Sequence, residues 1–189
     1  MHSIAFRSLT RADLPVLRDW LNAPHVFAWW GVGSGPGSLG GAGADAATAE
    51  QVEAKYGPTI DSPSPTTHRY VIAVDGRDVG LIQWYRLADF PDYARAIGET
   101  APGAAGIDVF VADLALTGRG VGARTIDAFV REVVFTDAAT DRAVAGPHPD
   151  NVASCRAFAK AGFVERRIVE VPHEGPERIV VRMRDAGSA

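Results

Sequence analysis

An acidic residue, Asp108, lies in a run from Ile107 to Ala112 that is otherwise apolar and rich in β-branched residues. Such a run predicts a strand that is covered on both faces. A carboxylate inside a strand of this kind is unfavourable unless it is paired or used in chemistry, and strongly perturbed acids concentrate at active sites. Asp108 is therefore a candidate catalytic residue, with a buried structural aspartate as the alternative.

Three glycines follow this strand within the segment Gly118–Gly122, and a helical pattern with Ile126 and Phe129 on one side comes next. The first N–H groups of a helix lack internal partners, and the helix dipole favours a negative charge beside them. A strand, a glycine-rich turn and a helix start therefore predict a phosphate-binding site, although a tight turn without a ligand has the same composition. The P-loop lysine is missing, and Thr125 stands where the dinucleotide fingerprint needs a third glycine.

A second motif runs from Asn151 to Phe163 and reads Asn-Val-Ala-Ser-Cys-Arg-Ala-Phe-Ala-Lys-Ala-Gly-Phe. With the glycine-rich turn before it, the motif resembles the coenzyme-binding segments of the GNAT acetyltransferases. Their pyrophosphate loop reads Arg/Gln-x-x-Gly-x-Gly/Ala, and Thr117 stands here where Arg or Gln is usual. The resemblance implies acetyl-CoA as co-substrate and no metal ion.

The resemblance also implies which residues contact the coenzyme. Main-chain N–H groups of the strand would polarise the thioester carbonyl, and the turn would hold the pyrophosphate through its amides. The predicted cofactor-binding residues are Val109, Phe110, Val111, Gly118, Arg119, Gly120, Val121, Gly122, Ala123, Arg124, Asn151 and Phe158. The family commonly has a tyrosine as general acid at the position of Phe158, which cannot donate a proton. The thiolate then leaves unassisted, or another group such as Tyr93 protonates it.

The amine side is indicated by a third stretch, Trp20–Gly31, which contains three of the four tryptophans. It resembles the Trp-Leu-Asn-x-x-His-x-x-x-Trp-Trp-Gly of the aminoglycoside 6'-N-acetyltransferases, and lysine N-acyltransferases of the siderophore type carry a looser version. The resemblance implies that Trp29 and Trp30 line the sugar site, where aromatic faces pack on C–H surfaces and attract ammonium groups. Aromatic pairs in a core are the alternative. Asp108 matches the proposed base of the same family.

Acidic residues are frequent in the segment Leu87–Gly103, just before the strand of Asp108. A solvated surface loop and a loop that faces a cationic substrate both fit this composition. In the resembled family the corresponding segment contributes carboxylates, so the predicted substrate-binding residues are Trp29, Trp30, Asp89, Asp92, Glu99 and Asp108. One position departs from the family, because Gly146 stands where those enzymes carry a substrate-binding aspartate.

Composition narrows the classes of partner. The net charge is −4 and the chain lacks a basic stripe, which argues against nucleic acid, and no apolar run is long enough to span a membrane. The single cysteine, Cys155, excludes internal disulfides and multi-cysteine zinc sites. We expect a cytoplasmic protein with a small cationic amine as substrate. The sequence leaves open whether it is a monomer or a dimer.

The elements predicted to position these residues make one domain over residues 1–189. Their order, β-α-α-β-β-β-α-β-α-β-β, matches the α/β (α+β) GNAT fold, a mixed sheet of six to seven strands flanked by helices. Thr10–Asp13 is a helix start, Asp75-Gly76 is a hairpin turn, and Thr48–Tyr56 is a short helix. Residues 31–47 are rich in glycine and are interpreted as a flexible insertion or lid.

Three functions remain at this point. The first is acetyl transfer from acetyl-CoA to a primary amine, most simply the 6'-amine of an aminoglycoside, by direct attack in a ternary complex. The second is N-acylation of an amine derived from lysine or of a siderophore precursor. The third is an acetyl-CoA-binding module without turnover. Asp108 argues against the third function, whereas Phe158 and Gly146 keep it open.

Overall fold

The computed structural model describes residues 2–30, 46–172 and 174–185, and seven strands form one sheet within them. The strands are β1 (Ile4–Ser8), β2 (Thr67–Val74), β3 (Arg77–Arg86), β4 (Ala104–Val111), β5 (Arg142–Ala145), β6 (Val164–Val171) and β7 (Gly175–Met183). Their order across the sheet is β1-β2-β3-β4-β5-β7-β6. Only the β4–β5 pair is parallel in this sheet. The predicted mixed sheet is confirmed.

Six helices accompany the sheet in the same described ranges. They are α1 (Leu14–Leu21), α2 (Pro24–Phe27), α3 (Ala49–Asp61), α4 (Pro91–Ile97), α5 (Val121–Glu132) and α6 (Val152–Lys160). The sequence predicted four of them and missed α2 and α4. Helix α4 lies in the segment interpreted as an acidic loop, where Ala94 and Ile97 are buried in an apolar cluster. Two buried positions in a short polar segment are too few to produce a readable helical pattern.

Helix α3 is longer than predicted, because it continues past Gly57 and Pro58 to Asp61. Its N-terminus has the full capping box, in which Thr48 accepts from the Gln51 N–H. The later turns are held by tertiary contacts, since Arg11 pairs with Asp61. Packing and ion pairing therefore extend a helix that local propensity alone would end at Gly57.

The two faces of the sheet bury different clusters. Ile107 packs with α5 residues such as Ile126 and Phe129 on one face, and Phe110 packs with residues of α1 and α3 on the other. Asp108 shares the Phe110 face because side chains alternate along a strand. The candidate base therefore faces α1 and α3, opposite the helix that follows the glycine-rich turn.

The parallel pairing of β4 with β5 stops before β4 ends. Its register joins Ala104, Ala105 and Gly106 to β5, whereas β4 continues to Val111. The stretch from Ile107 to Val111 therefore has an edge that β5 does not cover. Asp108 lies just beyond the point where the pairing stops, next to main-chain groups that are available to a ligand.

The predicted glycine-rich insertion lies between two described ranges of the chain. Most of the predicted insertion at 31–47 lies outside the described residues. Ala47 is buried and its N–H donates to Asn22 Oδ1 at 2.8 Å.

The predicted hairpin at Asp75 and Gly76 is present, with positive φ at both residues. In the described parts of the chain, no helix combines the length and apolarity needed to cross a membrane.

Candidate active site

Three polar side chains form a row across three neighbouring strands. Arg69 of β2 lies opposite Gln83 of β3, and Gln83 lies opposite Asp108 of β4. Arg69 Nε donates to Gln83 Oε1 at 3.0 Å, and Gln83 Nε2 donates to Asp108 Oδ2 at 2.8 Å. A side-chain amide bonded at both ends has a fixed orientation. The row therefore holds one oxygen of the Asp108 carboxylate and leaves the other for a ligand.

The surroundings of Asp108 raise the pKa of its carboxyl group. Burial raises the pKa of its carboxyl group, while the Gln83 hydrogen bond and the charges of Lys55 and Arg69 oppose the rise. Desolvation disfavours the charged form of an acid, so the net effect is a more basic carboxylate than an exposed aspartate. A base of this kind is better matched to an amine proton near neutral pH.

Helix α3 and the end of α2 close one side of this row. Trp30 Nε1 donates to Tyr56 Oη at 3.3 Å, and the Arg69 guanidinium lies 4.9 Å from the centre of the Tyr56 ring. Burial and the nearby Arg69 charge lower the pKa of Lys55, which also interacts with Asp108. Two cations therefore lie on the α3 side of the candidate base.

The opposite side carries tyrosines and carboxylates. Tyr93 Oη donates to Glu177 Oε2 at 2.8 Å. Burial raises the pKa of Glu177 to about 8, and the charges of Glu174 and Asp108 add to the rise. Burial also raises the pKa values of Tyr85 and Tyr93 well above the ordinary value, with contributions from the Asp108 charge. Asp108, Glu174 and Glu177 are therefore close enough to influence one another.

The two predicted wall tryptophans point in different directions. Trp30 packs edge-on against Phe110, with ring centres 4.7 Å apart, and is part of the apolar cluster below α1. Trp29 is 40% exposed, and its ring centre lies 5.6 Å from that of His148. Trp29 is therefore the member of the pair that offers an aromatic surface to a ligand, whereas Trp30 positions Tyr56.

The glycine-rich turn has the geometry of an anion site. Gly118 and Gly120 both have a φ of +76°, a left-handed conformation that residues with a Cβ rarely adopt. Gly120 is the N-cap of α5, so the helix begins at Val121 with its first N–H groups directed into the turn. A Cβ on Gly122 would lie 3.7 Å from Ala157, an ordinary contact. Packing between α5 and α6 therefore does not require glycine at position 122.

Helix α6 lies beside α5, and Asn151 is its N-cap. The Asn151 side chain caps the helix by accepting from the Ser154 N–H at 3.1 Å. Phe158 is buried and packs edge-on against Phe163, with ring centres 5.1 Å apart. The ring therefore supports the core between α6 and the sheet. Burial raises the pKa of Cys155, consistent with an unreactive thiol.

Two features that suit catalysis, the start of α5 and the Asp108 carboxylate, lie where β4 and β5 separate. The start of α5 can hold an anion such as a pyrophosphate, and Asp108 can take a proton from an amine that approaches from the α1–α3 face. A family model described as an acetyltransferase (GNAT) domain matches residues 10–171. The chain belongs to the GNAT acetyltransferase family.

Known relatives of this GNAT acetyltransferase are antibiotic-modifying enzymes. The aminoglycoside N(6')-acetyltransferase type 1 of Klebsiella pneumoniae is 31% identical over 185 residues, which are 97% of this chain and 85% of the relative. The solved structure of aminoglycoside acetyltransferase AAC(6')-Ib with coenzyme A and kanamycin is 29% identical, with a TM-score of 0.76 over 97% of this chain and 96% of that one. Its complex with ribostamycin and coenzyme A is 28% identical, with a TM-score of 0.78 over 98% of both chains. The resemblance read from the sequence is confirmed.

The three acids predicted from the segment before β4 of this acetyltransferase have separate surroundings. The Asp92 side chain is 95% exposed and pairs with Arg95, whereas the Glu99 side chain is 10% exposed and pairs with Arg167 at 3.3 Å. Asp89 is exposed, and its charge acts on His68. These carboxylates lie in and around α4 with different partners, and none of them is among the groups that act on Asp108. Their role in binding substrate stays a prediction.

Sequence reasoning missed most of the side chains that surround Asp108. Arg69, Gln83 and Tyr56 read as ordinary strand and helix residues, and Glu177 reads as part of a closing strand. One signal was available for Gln83, because it is a polar residue within the apolar run from Val79 to Trp84. In the sheet it lies directly opposite Asp108. Glu177 gives no such signal, since its neighbours come from distant parts of the chain.

In the described ranges, no group of three or more histidine, cysteine, aspartate or glutamate side chains is arranged to hold a metal ion. The groups near Asp108 include a hydrogen-bonded amide and two cations, Arg69 and Lys55. These neighbours fit a proton acceptor for an amine.

Proposed function

We propose that this chain transfers the acetyl group of acetyl-CoA to the 6'-amine of an aminoglycoside within a ternary complex. The observation that carries the proposal is the position of Asp108. It is a partly buried carboxylate of raised pKa, held by Gln83 at the point where β4 and β5 separate. The aminoglycoside N(6')-acetyltransferases among the relatives support the substrate class.

Acetyl-CoA is the second substrate and supplies the acetyl thioester. The N–H groups at the start of α5, beginning with Val121, bind its pyrophosphate, and Gly118 and Gly120 leave the approach open. The main-chain N–H groups of Val109 and Val111 point away from β3, so they face the acetyl carbonyl along the uncovered edge of β4 and stabilise the charge that develops on its oxygen. Asn151 fixes the start of α6 beside the coenzyme arm.

Asp108 performs the proton transfer that the amine requires. An ammonium has no lone pair and its ordinary pKa is about 10, so a proton must leave before nitrogen attacks the thioester carbon. One ammonium proton passes to the free oxygen of Asp108, the C–N bond forms, and the C–S bond breaks to release the coenzyme as a thiolate. The second proton leaves the nitrogen as the amide forms and reaches the thiolate through solvent. A thiol of pKa about 8.5 is an acceptable leaving group without a donor, which is consistent with Phe158.

Tyr93 was the alternative acid for the leaving thiolate, and its surroundings favour another role. Its hydroxyl group donates to Glu177 at 2.8 Å, and burial raises its pKa well above the ordinary value. A hydroxyl group committed to a carboxylate is a poor proton donor to a second acceptor. We therefore assign no proton transfer to Tyr93 and treat it as the residue that positions Glu177.

The test is an acetyl-CoA turnover assay with purified protein, kanamycin and ribostamycin, followed by NMR identification of the acetylated nitrogen. We expect turnover with both compounds and a single product that carries the acetyl group at the 6'-nitrogen. Asp108→Asn is the matched inactive control, since it keeps size and hydrogen bonding at that position. Absence of turnover with any aminoglycoside contradicts the proposal.

Acylation of an amine derived from lysine is the second candidate, and one observation favours it. Lys55 and Arg69 place two cations beside Asp108, where a polycationic sugar gains least and a substrate with its own carboxylate gains most. Including N-α-acetyl-lysine and free lysine in the same assay separates the two functions. Preference for a lysine derivative over kanamycin in kcat/KM selects the second function.

A further inference from the structure

The carboxylate of Glu177 fills the space beside the main chain of Gly146. A Cβ built on Gly146 would overlap Glu177 Oε2, and it would lie 2.7 Å from Glu177 Cδ and 3.3 Å from Tyr93 Oη. Gly146 directly follows β5, and Glu177 is the third residue of β7, which pairs with β5. The lack of a side chain at position 146 is therefore what lets the Glu177 carboxylate lie at the mouth of the opened β4–β5 pair.

Glu177 is held in this position and is shielded from solvent. The residue is 8% exposed, and Tyr93 Oη donates to its Oε2 at 2.8 Å. In the register, Glu177 lies opposite Val169, so the exposed neighbour Glu170 points to the other face of the hairpin. Its side chain is thus fixed by a hydrogen bond from α4 and by the strand beside it.

A buried carboxylate of this kind ordinarily has a cation as partner. Among the residues that the structure describes, no arginine or lysine forms an ion pair with Glu177. The groups that act on it are Tyr93 from α4, Tyr85 from β3, Asp108 from β4 and Glu174 from the β6–β7 turn. All four are neutral or acidic, and Lys55 of α3 acts on Glu174 and Asp108 but not on Glu177. The surroundings of Glu177 therefore favour a cation that comes from a ligand.

We propose that Glu177 is the second carboxylate of the amine site and binds an ammonium group of the substrate other than the one that Asp108 deprotonates. Gly146 is the residue that makes room for it. The inference rests on the proposed function, since it assumes a substrate with at least two amines. It implies that the site selects polyamines over amines that carry a single positive charge.

The raised pKa of Glu177, about 8, gives the proposal a thermodynamic signature. At pH 7 its carboxyl group is mostly protonated in the free protein. A bound ammonium group favours the carboxylate and lowers its pKa, so the proton leaves to solvent. Substrate binding at pH 7 should therefore release close to one proton through Glu177, and binding to Glu177→Gln should release none through this group.

The first experiment compares steady-state kinetics of three proteins, the wild type, Glu177→Gln and Glu170→Gln, on kanamycin and on a monoamine acceptor. Glu177→Gln should raise the KM for kanamycin by about 10-fold to 100-fold, because a hydrogen bond to a charged group is lost. The KM for acetyl-CoA and the kcat/KM for the monoamine should change by less than about twofold. The matched control is Glu170→Gln, which makes the same chemical change on the exposed face and should match the wild-type protein.

The second experiment moves the carboxylate from position 177 to position 146. Gly146→Asp alone should impair kanamycin binding, because its side chain overlaps the Glu177 carboxylate. Glu177→Ala alone should impair it by removing the charge. The double variant has room at position 177 and a carboxylate at position 146, so it should recover much of the loss in KM. Additive losses in the double variant would contradict a shared space and a shared role.

The outcomes separate the inference from the proposed function. Absence of aminoglycoside turnover in the wild-type protein contradicts the function itself. Wild-type turnover combined with an unchanged kanamycin KM in Glu177→Gln overturns the inference and leaves the function standing. Isothermal titration of wild-type protein with kanamycin in two buffers of different ionisation enthalpy needs no variant. A proton release at pH 7 that is the same in wild type and Glu177→Gln, or absent from wild type, also overturns the inference.

Discussion

The proposed coenzyme side of the site is built by main chain within two short segments, whereas the proposed amine side is built by side chains from many elements. On the coenzyme side, the turn at Gly118–Gly122 and the cap at Asn151 are each complete within a few residues. On the amine side, Asp108 is held by β2 and β3, and Glu177 is held by α4. A local backbone motif leaves a pattern in the sequence, while a constellation assembled by the fold does not.

The difference has a functional consequence. Amides of a helix start bind any pyrophosphate of suitable geometry, so the coenzyme side specifies a co-substrate that a whole family shares. The amine side determines selectivity through the number and position of its charges, which differ with single substitutions such as those at positions 146 and 177. Changes on the two sides should therefore affect different kinetic constants.

The largest expected effect is on the amine side. Asp108→Asn should lower kcat by about 10²-fold to 10⁴-fold, the usual contribution of a well-placed base. The fold should remain, since the amide has the same size and still accepts from Gln83. Acetyl-CoA affinity, measured by calorimetry, should change by less than about twofold if the two sides act separately. A loss of activity below about tenfold would assign Asp108 to a structural role instead.

The corresponding change on the coenzyme side is Gly120→Asp. It places a Cβ at a φ of +76° and a negative charge against the pyrophosphate, so acetyl-CoA affinity should fall by about 10-fold to 100-fold. Gly76→Asp is the matched control. Gly76 has the same φ and lies in the β2–β3 turn with nothing within 4 Å of a built Cβ. Equal loss of affinity in both folded variants would contradict a phosphate site at Gly120.

Stability should depend on pH through Glu177. Its pKa rises from the ordinary 4.5 in the unfolded chain to about 8 in the folded protein, so the folded state binds more protons between these values. The free energy of unfolding should therefore decrease as pH rises from 4.5 to 8, by at most about 1.4 kcal/mol per pH unit from this group. Urea unfolding of wild type and Glu177→Gln across this range isolates the contribution. Parallel curves would show that Glu177 has an ordinary pKa.

A smaller effect is expected at Gln83, which positions the base without touching the substrate. Gln83→Leu should lower kcat by about fivefold to tenfold through loss of carboxylate orientation. The Gln83 hydrogen bond lowers the pKa of Asp108, so its loss should raise that pKa and move the acidic limb of the kcat/KM profile to higher pH. A purely structural role for Gln83 would reduce stability and leave the position of that limb unchanged.

The smallest effect is expected for the acids of the segment before β4. Replacing Asp89, Asp92 and Glu99 by their amides should change the kanamycin KM by less than about threefold. Asp89 and Asp92 are exposed, where an ion pair contributes only about 0.2–1 kcal/mol, and the buried Glu99 is already paired with Arg167. The same measurement on Glu177→Gln gives the contrast. A tenfold or larger shift in the triple variant would return these acids to the amine site.

Local patterns allowed much of the fold to be predicted. The helix starts at Thr10 and Thr48, the hairpin turn at Asp75-Gly76 and the helix after Gly120 appear as expected, since each depends on a few neighbouring residues. Helix α4 and the last turns of α3 were missed, because buried contacts and ion pairs from distant residues stabilise them. Local propensity is overridden where tertiary packing supplies most of the stabilisation.

The sequence by itself determined the family, the glycine-rich turn before α5 and the identity of Asp108 as the acid in an apolar strand. These features are encoded by residue types at short, fixed spacing, where backbone conformation and strand alternation follow from neighbouring residues. Only the tertiary structure decided which groups meet that acid. The sheet register brings Arg69 and Gln83 to Asp108, and the opened β4–β5 pair leaves one side for Glu177 beside Gly146. Contacts across strands join residues far apart in the chain, so their chemistry becomes visible only when the sheet is assembled.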